Sequence, residues 1–164
     1  MDNEAPTVGC FDIDLDIRGS TTSFTSYFGQ FGNLTSDNCD VSQTSFSQVL
    51  FYCSDIGENE VTYEARDASG NISSCTFIVT VTDGRGPYMA CQDINVQLDN
   101  TGKASITPEM VDNGSYDNCS STSISLDITT FDCDDVGAQT VTLIATDTYG
   151  NTSTCEATVT VVEE

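Results

Sequence analysis

A repeat governs what this chain can become. Cys53-Ser-Asp55-Ile-Gly57 is echoed by Cys133-Asp-Asp135-Val-Gly137, and Asp67-Ala-Ser-Gly70-Asn71 by Asp147-Thr-Tyr-Gly150-Asn151, each at an offset of 80. At the same offset Cys39, Cys75, Val79 and Val81 meet Cys119, Cys155, Val159 and Val161, while Cys10 meets Cys91 at 81. A period this long covering the whole chain means one structural unit written twice. Each copy opens with a proline (Pro6, Pro87), and the joint falls in the turn-like Thr82-Asp83-Gly84-Arg85-Gly86-Pro87. The expected domains are therefore residues 1–83 and 84–164.

Within each copy the apolar residues alternate. Val61/Tyr63/Ala65 and Phe77/Val79/Val81 in the first copy match Val141/Leu143/Ala145 and Ala157/Val159/Val161 in the second, and Ile13/Leu15/Ile17 matches Ile94/Val96/Leu98. A period of two reads as strands with one face inward. Asp-x-x-Gly-Asn lies between the last two strands of each copy, and Gly and Asn accept positive φ, so these strands form a hairpin. Short strands without helical periodicity predict an all-β chain of two tandem immunoglobulin-like antiparallel β-sandwiches.

Composition removes several functions. Four basic residues face 26 acidic ones, a net charge of −22, which disfavours nucleic acid and anionic membrane as partners. Each half carries 13 acids against two bases, so the acidity belongs to the repeating unit. The chain has no histidine, the usual general base at neutral pH and the usual nitrogen ligand for a transition metal. Paired acids such as Asp134/Asp135 read as solvated surface rather than a glycosidase dyad, and no enzyme activity is expected. No apolar run approaches the roughly 20 residues of a membrane helix. The start, Met1-Asp2-Asn3-Glu4-Ala5-Pro6, has neither the basic nor the apolar part of a secretion signal. Eight cysteines point to an oxidising compartment, so the chain reads as an excised fragment of a secreted or cell-surface protein.

Four cysteines per copy leave three pairings open, and the strand map narrows them. In such sandwiches the first strand lies beside the last, which favours Cys10–Cys75 and its twin Cys91–Cys155. The remaining pairs are then Cys39–Cys53 and Cys119–Cys133, each closing a short segment read as strand, turn, strand. A zinc site is disfavoured because no Cys-x-x-Cys or histidine is present. Cys10 and Cys91 are out of phase with the inward-facing Ile13 and Ile94, which predicts a bulge or kink at residues 11–12 and 92–93.

The string Pro-x₃-Cys, Asp-Asn-Cys, Cys-x-Asp-x-Gly and Val-Thr-x₂-Ala-x-Asp-x₂-Gly-Asn-x₃-Cys resembles the HYR (hyalin-repeat) modules. These are immunoglobulin-like domains of extracellular adhesion proteins, also found in long arrays in the cell-surface and gliding adhesins of Bacteroidota. The resemblance implies an adhesion or stalk module whose partners are neighbouring repeats, and it names no ligand. The first copy departs from the pattern between residues 18 and 36, where an aromatic stretch replaces Thr101–Pro108 of the second.

Two features carry functional expectations. Asp55, Glu58, Asp83, Asp117, Asn118, Asp147 and Asn151 fall where tandem sandwiches would meet, and Asp2, Asp37, Asn38 and Asp67 form the equivalent set at the start of copy one. Carboxylate, amide and carbonyl oxygens in groups of six to eight are what Ca²⁺ takes, so a calcium ion rigidifying the joint is expected. The alternative is that these residues cap turns and keep an acidic, salt-adapted surface hydrated. The second feature is Phe24, Tyr27, Phe28 and Phe31, which could present rings to a surface glycan or protein. The competing reading is that they fill the core of a divergent domain. Their spacing also permits a short amphipathic helix, against which Gly29 and Gly32 count. The chain as a whole is expected to be a disulfide-stapled segment of an adhesin stalk or filament. The alternatives are a binding module using the aromatic stretch and an accessory domain of a secreted enzyme.

Overall fold

The alternating stretches become the longest strands of each half. The structure, a computed structural model, describes residues 2–163, and the chain divides into two units, Met1–Gly84 and Arg85–Glu164. The first contains β1 (Ile13–Asp16), β2 (Thr21–Ser23), α1 (Phe28–Asn33), β3 (Val41–Phe46), β4 (Leu50–Tyr52), β5 (Gly57–Asp67) and β6 (Ile72–Thr82). The second contains β7 (Ile94–Gln97), β8 (Lys103–Ser105), α2 (Pro108–Val111), β9 (Ser123–Leu126), β10 (Thr130–Asp132), β11 (Gly137–Thr146) and β12 (Thr152–Val162). Each unit has a four-stranded sheet, β1-β6-β5-β3 or β7-β12-β11-β9, and a two-stranded sheet, β2-β4 or β10-β8. Both halves are all-β sandwiches of the immunoglobulin-like kind.

The hairpins form as the turn residues require. β5 pairs antiparallel with β6 from Gly57 opposite Val81 to Arg66 opposite Ile72, and β11 with β12 from Gly137 opposite Val161 to Thr146 opposite Thr152. Gly70 and Gly150 sit at φ 96° and 89°, backbone conformations that a side chain resists. The first strand does lie beside the last, and it runs parallel to it: Ile13 faces Val79 and Ile94 faces Val159. No bulge occurs at residues 11–12 or 92–93. The strands simply begin later, at Ile13 and Ile94. Asp12 Oδ1 takes the Ile78 N–H at 2.8 Å and Asp93 Oδ1 the Thr158 N–H at 2.7 Å, so a carboxylate replaces the missing ladder partner. The register shift lies instead between Val41 and Gln43.

The two cores are built at matching positions from different residues. Phe24, Phe31, Phe46, Tyr63 and Phe77 stand where the repeat offset puts Ala104, Val111, Leu126, Leu143 and Ala157. Phe31 and Val111 are both fully buried, one on α1 and the other on α2. The rings of the first core interlock: Phe31 lies 4.8 Å from Phe77, 5.0 Å from Phe46 and 5.3 Å from Tyr63, centroid to centroid. The aromatic stretch is thus an exchange of one filling for another, and the expectation that Phe24 and Phe31 present rings to a ligand is corrected, since neither reaches solvent. Phe28 is exposed but stacks on Phe46 at 4.8 Å, and Tyr27 leans on Phe11 at 6.3 Å. The helix forms despite its glycines because Gly29 and Gly32 face open space while Phe31 supplies the anchor.

Two of the four expected disulfides form, Cys10–Cys75 and Cys91–Cys155. The pairs Cys39–Cys53 and Cys119–Cys133 do not, because Cys39 and Cys133 are exposed free thiols, while Cys53 and Cys119 are disulfide-bonded. The reason is topological. The segments flanking residues 47–49 are not a hairpin: β3 pairs with β5 and β4 with β2, in different sheets. Cys39 lies just beyond the end where Val41 faces Asp67, and Cys53 sits in a 3₁₀ turn, Cys53–Asp55, ahead of Gly57 at the other end. The length of β5, about 33 Å at 3.3 Å per residue, separates them.

Candidate metal centre

The inward register of β5 does not stop at its last apolar residue. Val61, Tyr63 and Ala65 face the core, and two residues further the same face presents Asp67, which is 2% exposed. The same step after Val141, Leu143 and Ala145 presents Asp147, 6% exposed. A carboxylate ending an inward-facing row must find partners or a cation. Its first partner is the turn: the Asn71 N–H and the Asn71 side-chain amide each donate to Asp67 at 2.7 Å. Asn151 holds Asp147 identically, at 2.7 Å twice. Burial pushes the Asp67 carboxyl up, but the Asn71 side chain and the N–H groups of Asn71, Gly70 and Ser69 outweigh it and hold it below its ordinary value. Asp147 is lowered through the same opposition, burial against Asn151 and its neighbouring N–H groups.

Around Asp67 the first unit gathers two more acids. A carboxylate oxygen from each of Asp2, Asp37 and Asp67 lies within 4.8 Å of the other two. The Asn71 amide anchors the incoming chain by donating to the carbonyls of Asp2 (3.2 Å) and Glu4 (3.0 Å), and Asn38 donates to Glu4 Oε2 at 2.9 Å. Thr7 and Ser36 exchange backbone hydrogen bonds just behind. Asp2 Oδ1 accepts the Glu4 N–H at 3.0 Å, the main reason its carboxyl is lowered, and Asp37 Oδ2 accepts the Cys39 N–H at 3.1 Å. The opposite oxygens, Asp2 Oδ2 and Asp37 Oδ1, are buried and accept nothing. Two buried carboxylate oxygens without donors beside a third carboxylate are an arrangement that a divalent cation resolves, and all-oxygen donors suit Ca²⁺.

The second unit repeats the local geometry. Asp117 Oδ2 accepts the N–H groups of Cys119 and Ser120, both at 2.8 Å, and its Oδ1 is buried without a partner. Asn118 turns its amide to Cys119 Sγ at 3.0 Å, while the Asn151 amide orients Asp147. Asp83 is buried as well, and the repeat offset makes it the counterpart of Asp2. Asp55 is used elsewhere, because its Oδ2 accepts the Tyr52 N–H at 2.8 Å and closes the 3₁₀ turn, as Asp135 does for Asp132 at 2.9 Å. Glu58 is exposed, opposite Thr80 at the same end of β5 as Asp55. Asn71 joins the site as a residue absent from the expected set, although the repeat makes it the twin of Asn151.

Fold and site together define a disulfide-bonded immunoglobulin-like module with a carboxylate cluster where the chain enters. The family model of the HYR domain matches residues 1–81, nearly all of the first unit, and the second unit repeats that unit's cysteine and turn pattern at an offset of 80. Among solved structures the chain is similar to Drosophila N-cadherin domains EC1–4 (13% identity, 98% of this chain and 50% of that one, TM-score 0.48). It is similar also to the extracellular cadherin domains 1–4 of protocadherin gamma B7 (12%, 99% and 52%, TM-score 0.43). A third is the titin I-band fragment I67–I69 (10%, 99% and 67%, TM-score 0.40). The chain spans about half the length of the protocadherin chain it matches. No helix among the described residues is long and apolar enough to cross a membrane.

Proposed function

We propose that the chain is a load-bearing segment of an extracellular adhesin, in which calcium holds the entry of each module in place. In the first module Asp2, Asp37 and Asp67 would hold the ion. In the second, the repeat offset of 80 carries Asp37 and Asp67 to Asp117 and Asp147, which would hold the ion there. The observation that carries this reading is the pair of buried, donor-less oxygens on Asp2 and Asp37, with its echo on Asp117. The HYR match over residues 1–81 supports the adhesion context. Neighbouring repeats are the first partners, and the acidic surface keeps nucleic acid away.

The test is a thermal melt in EDTA and again in millimolar Ca²⁺, with Mg²⁺ at matched ionic strength as the screening control. At a hundredfold excess over Kd, a ligand that binds only the folded state adds about 3 kcal/mol. A calcium-specific rise that Asp37→Asn halves and Asp37→Asn with Asp117→Asn abolishes supports the reading. Equal responses to the two cations would sink it and return the acids to charge screening.

A further inference from the structure

Each module keeps two cysteines outside its internal bridge, and they stand at opposite ends. Cys39 is at the entry end of the first module, directly after the Asp37 turn and near the Thr7–Ser36 bridge. Cys53 is at the exit end, in the turn ahead of Gly57, which faces Val81. The second module repeats this. Cys119 follows the Asp117 turn near the Tyr88–Tyr116 bridge, and Cys133 precedes Gly137, which faces Val161. The exit cysteine of the first module and the entry cysteine of the second are oxidised. Their repeat counterparts, the exit cysteine Cys133 and the entry cysteine Cys39, are exposed thiols. Equivalent turns therefore carry a disulfide in one copy and a thiol in the other, and the length of a strand keeps each thiol from the other cysteine of its own module.

We infer that Cys133 and Cys39 are head-to-tail coupling sites, the exit thiol of one chain forming a disulfide with the entry thiol of a second copy. The chemistry is thiol–disulfide exchange with a small disulfide such as oxidised glutathione. One protein thiolate attacks it, forming a mixed disulfide and releasing one glutathione thiolate. The second protein thiolate attacks the protein sulfur of that mixed disulfide and releases the other. Two protein thiols become one disulfide, one oxidised glutathione becomes two reduced, and the two protons pass to the released thiolates.

The experiment uses the full chain. Maleimide labelling followed by peptide mass spectrometry is expected to find two thiols, at Cys39 and Cys133. In a concentrated glutathione redox buffer the chain is expected to give a reductant-sensitive ladder on a non-reducing gel, with a Cys39–Cys133 cross-linked peptide. Cys39→Ser and Cys133→Ser each abolish the ladder, and mixing the two variants restores a dimer and nothing longer. Glutathione adducts alone, or Cys39–Cys39 and Cys133–Cys133 links in random proportion, would overturn the inference. A chain with no free thiol, its cysteines paired locally as Cys39–Cys53 and Cys119–Cys133, would overturn it equally.

Discussion

Asp67 and Asp147 show how much one residue's phase decides. The period of two that places Val61, Tyr63 and Ala65 inward also places Asp67 inward, so the burial of the acid was legible in the alternation, as was the turn that receives it. The donor-less oxygens were not, because they depend on Asp2 and Asp37 arriving from segments far apart in sequence. A pH dependence follows. Both carboxyls are lowered by their hydrogen bonds, and a group whose folded value lies below its unfolded one adds stability that is complete above the unfolded value and lost as pH falls through the folded one. Stability is therefore expected to hold from neutral pH down to about 4, near the unfolded value of Asp, and to fall below that. Asn71→Ala or Asn151→Ala, which removes the side-chain donor, should flatten the acid limb in melts recorded from neutral to acid pH.

At the scale of elements, the long strands and hairpins followed from alternation and from Asp-x-x-Gly-Asn, and the first-beside-last pairing followed from the sandwich architecture. The partner sheet of each short strand did not follow. β3 and β4 look like a hairpin in sequence, yet they part to different sheets, and nothing local in Val41–Phe46 or Leu50–Tyr52 marks that choice. The hairpin turn gives a clean test at Gly150, whose φ is 89° and whose missing Cβ would meet nothing within 4 Å. Gly150→Ala should therefore cost about 1 kcal/mol, from backbone conformation alone. The helix α1 is held by the ring it buries. Phe31→Ala should destabilise the first module by about 3–5 kcal/mol in denaturant unfolding. Tyr27→Ala, on a half-exposed ring, should cost far less.

For the whole molecule, the repeat and the cysteine count indicated a stapled tandem, whereas the wiring of the second cysteine pair could not be read because both cysteines of each pair sit in turns at opposite ends of a sandwich. Each internal bridge spans a separation of 65 or 64 residues, and closing a loop of that size limits the unfolded chain by about 4 kcal/mol in the chain-entropy model. Cys10→Ser with Cys75→Ser should lower the first transition by that order in calorimetry and leave the second module's own bridge intact. The position of the bridge has a further consequence. Tension applied between the two ends of the first module enters before Cys10, crosses to Cys75 and leaves along the end of β6. Even with every strand pulled out, the bridged module can lengthen between its ends to only about 50 Å of taut chain. The intact bridge thus makes this module a tether of short, fixed reach.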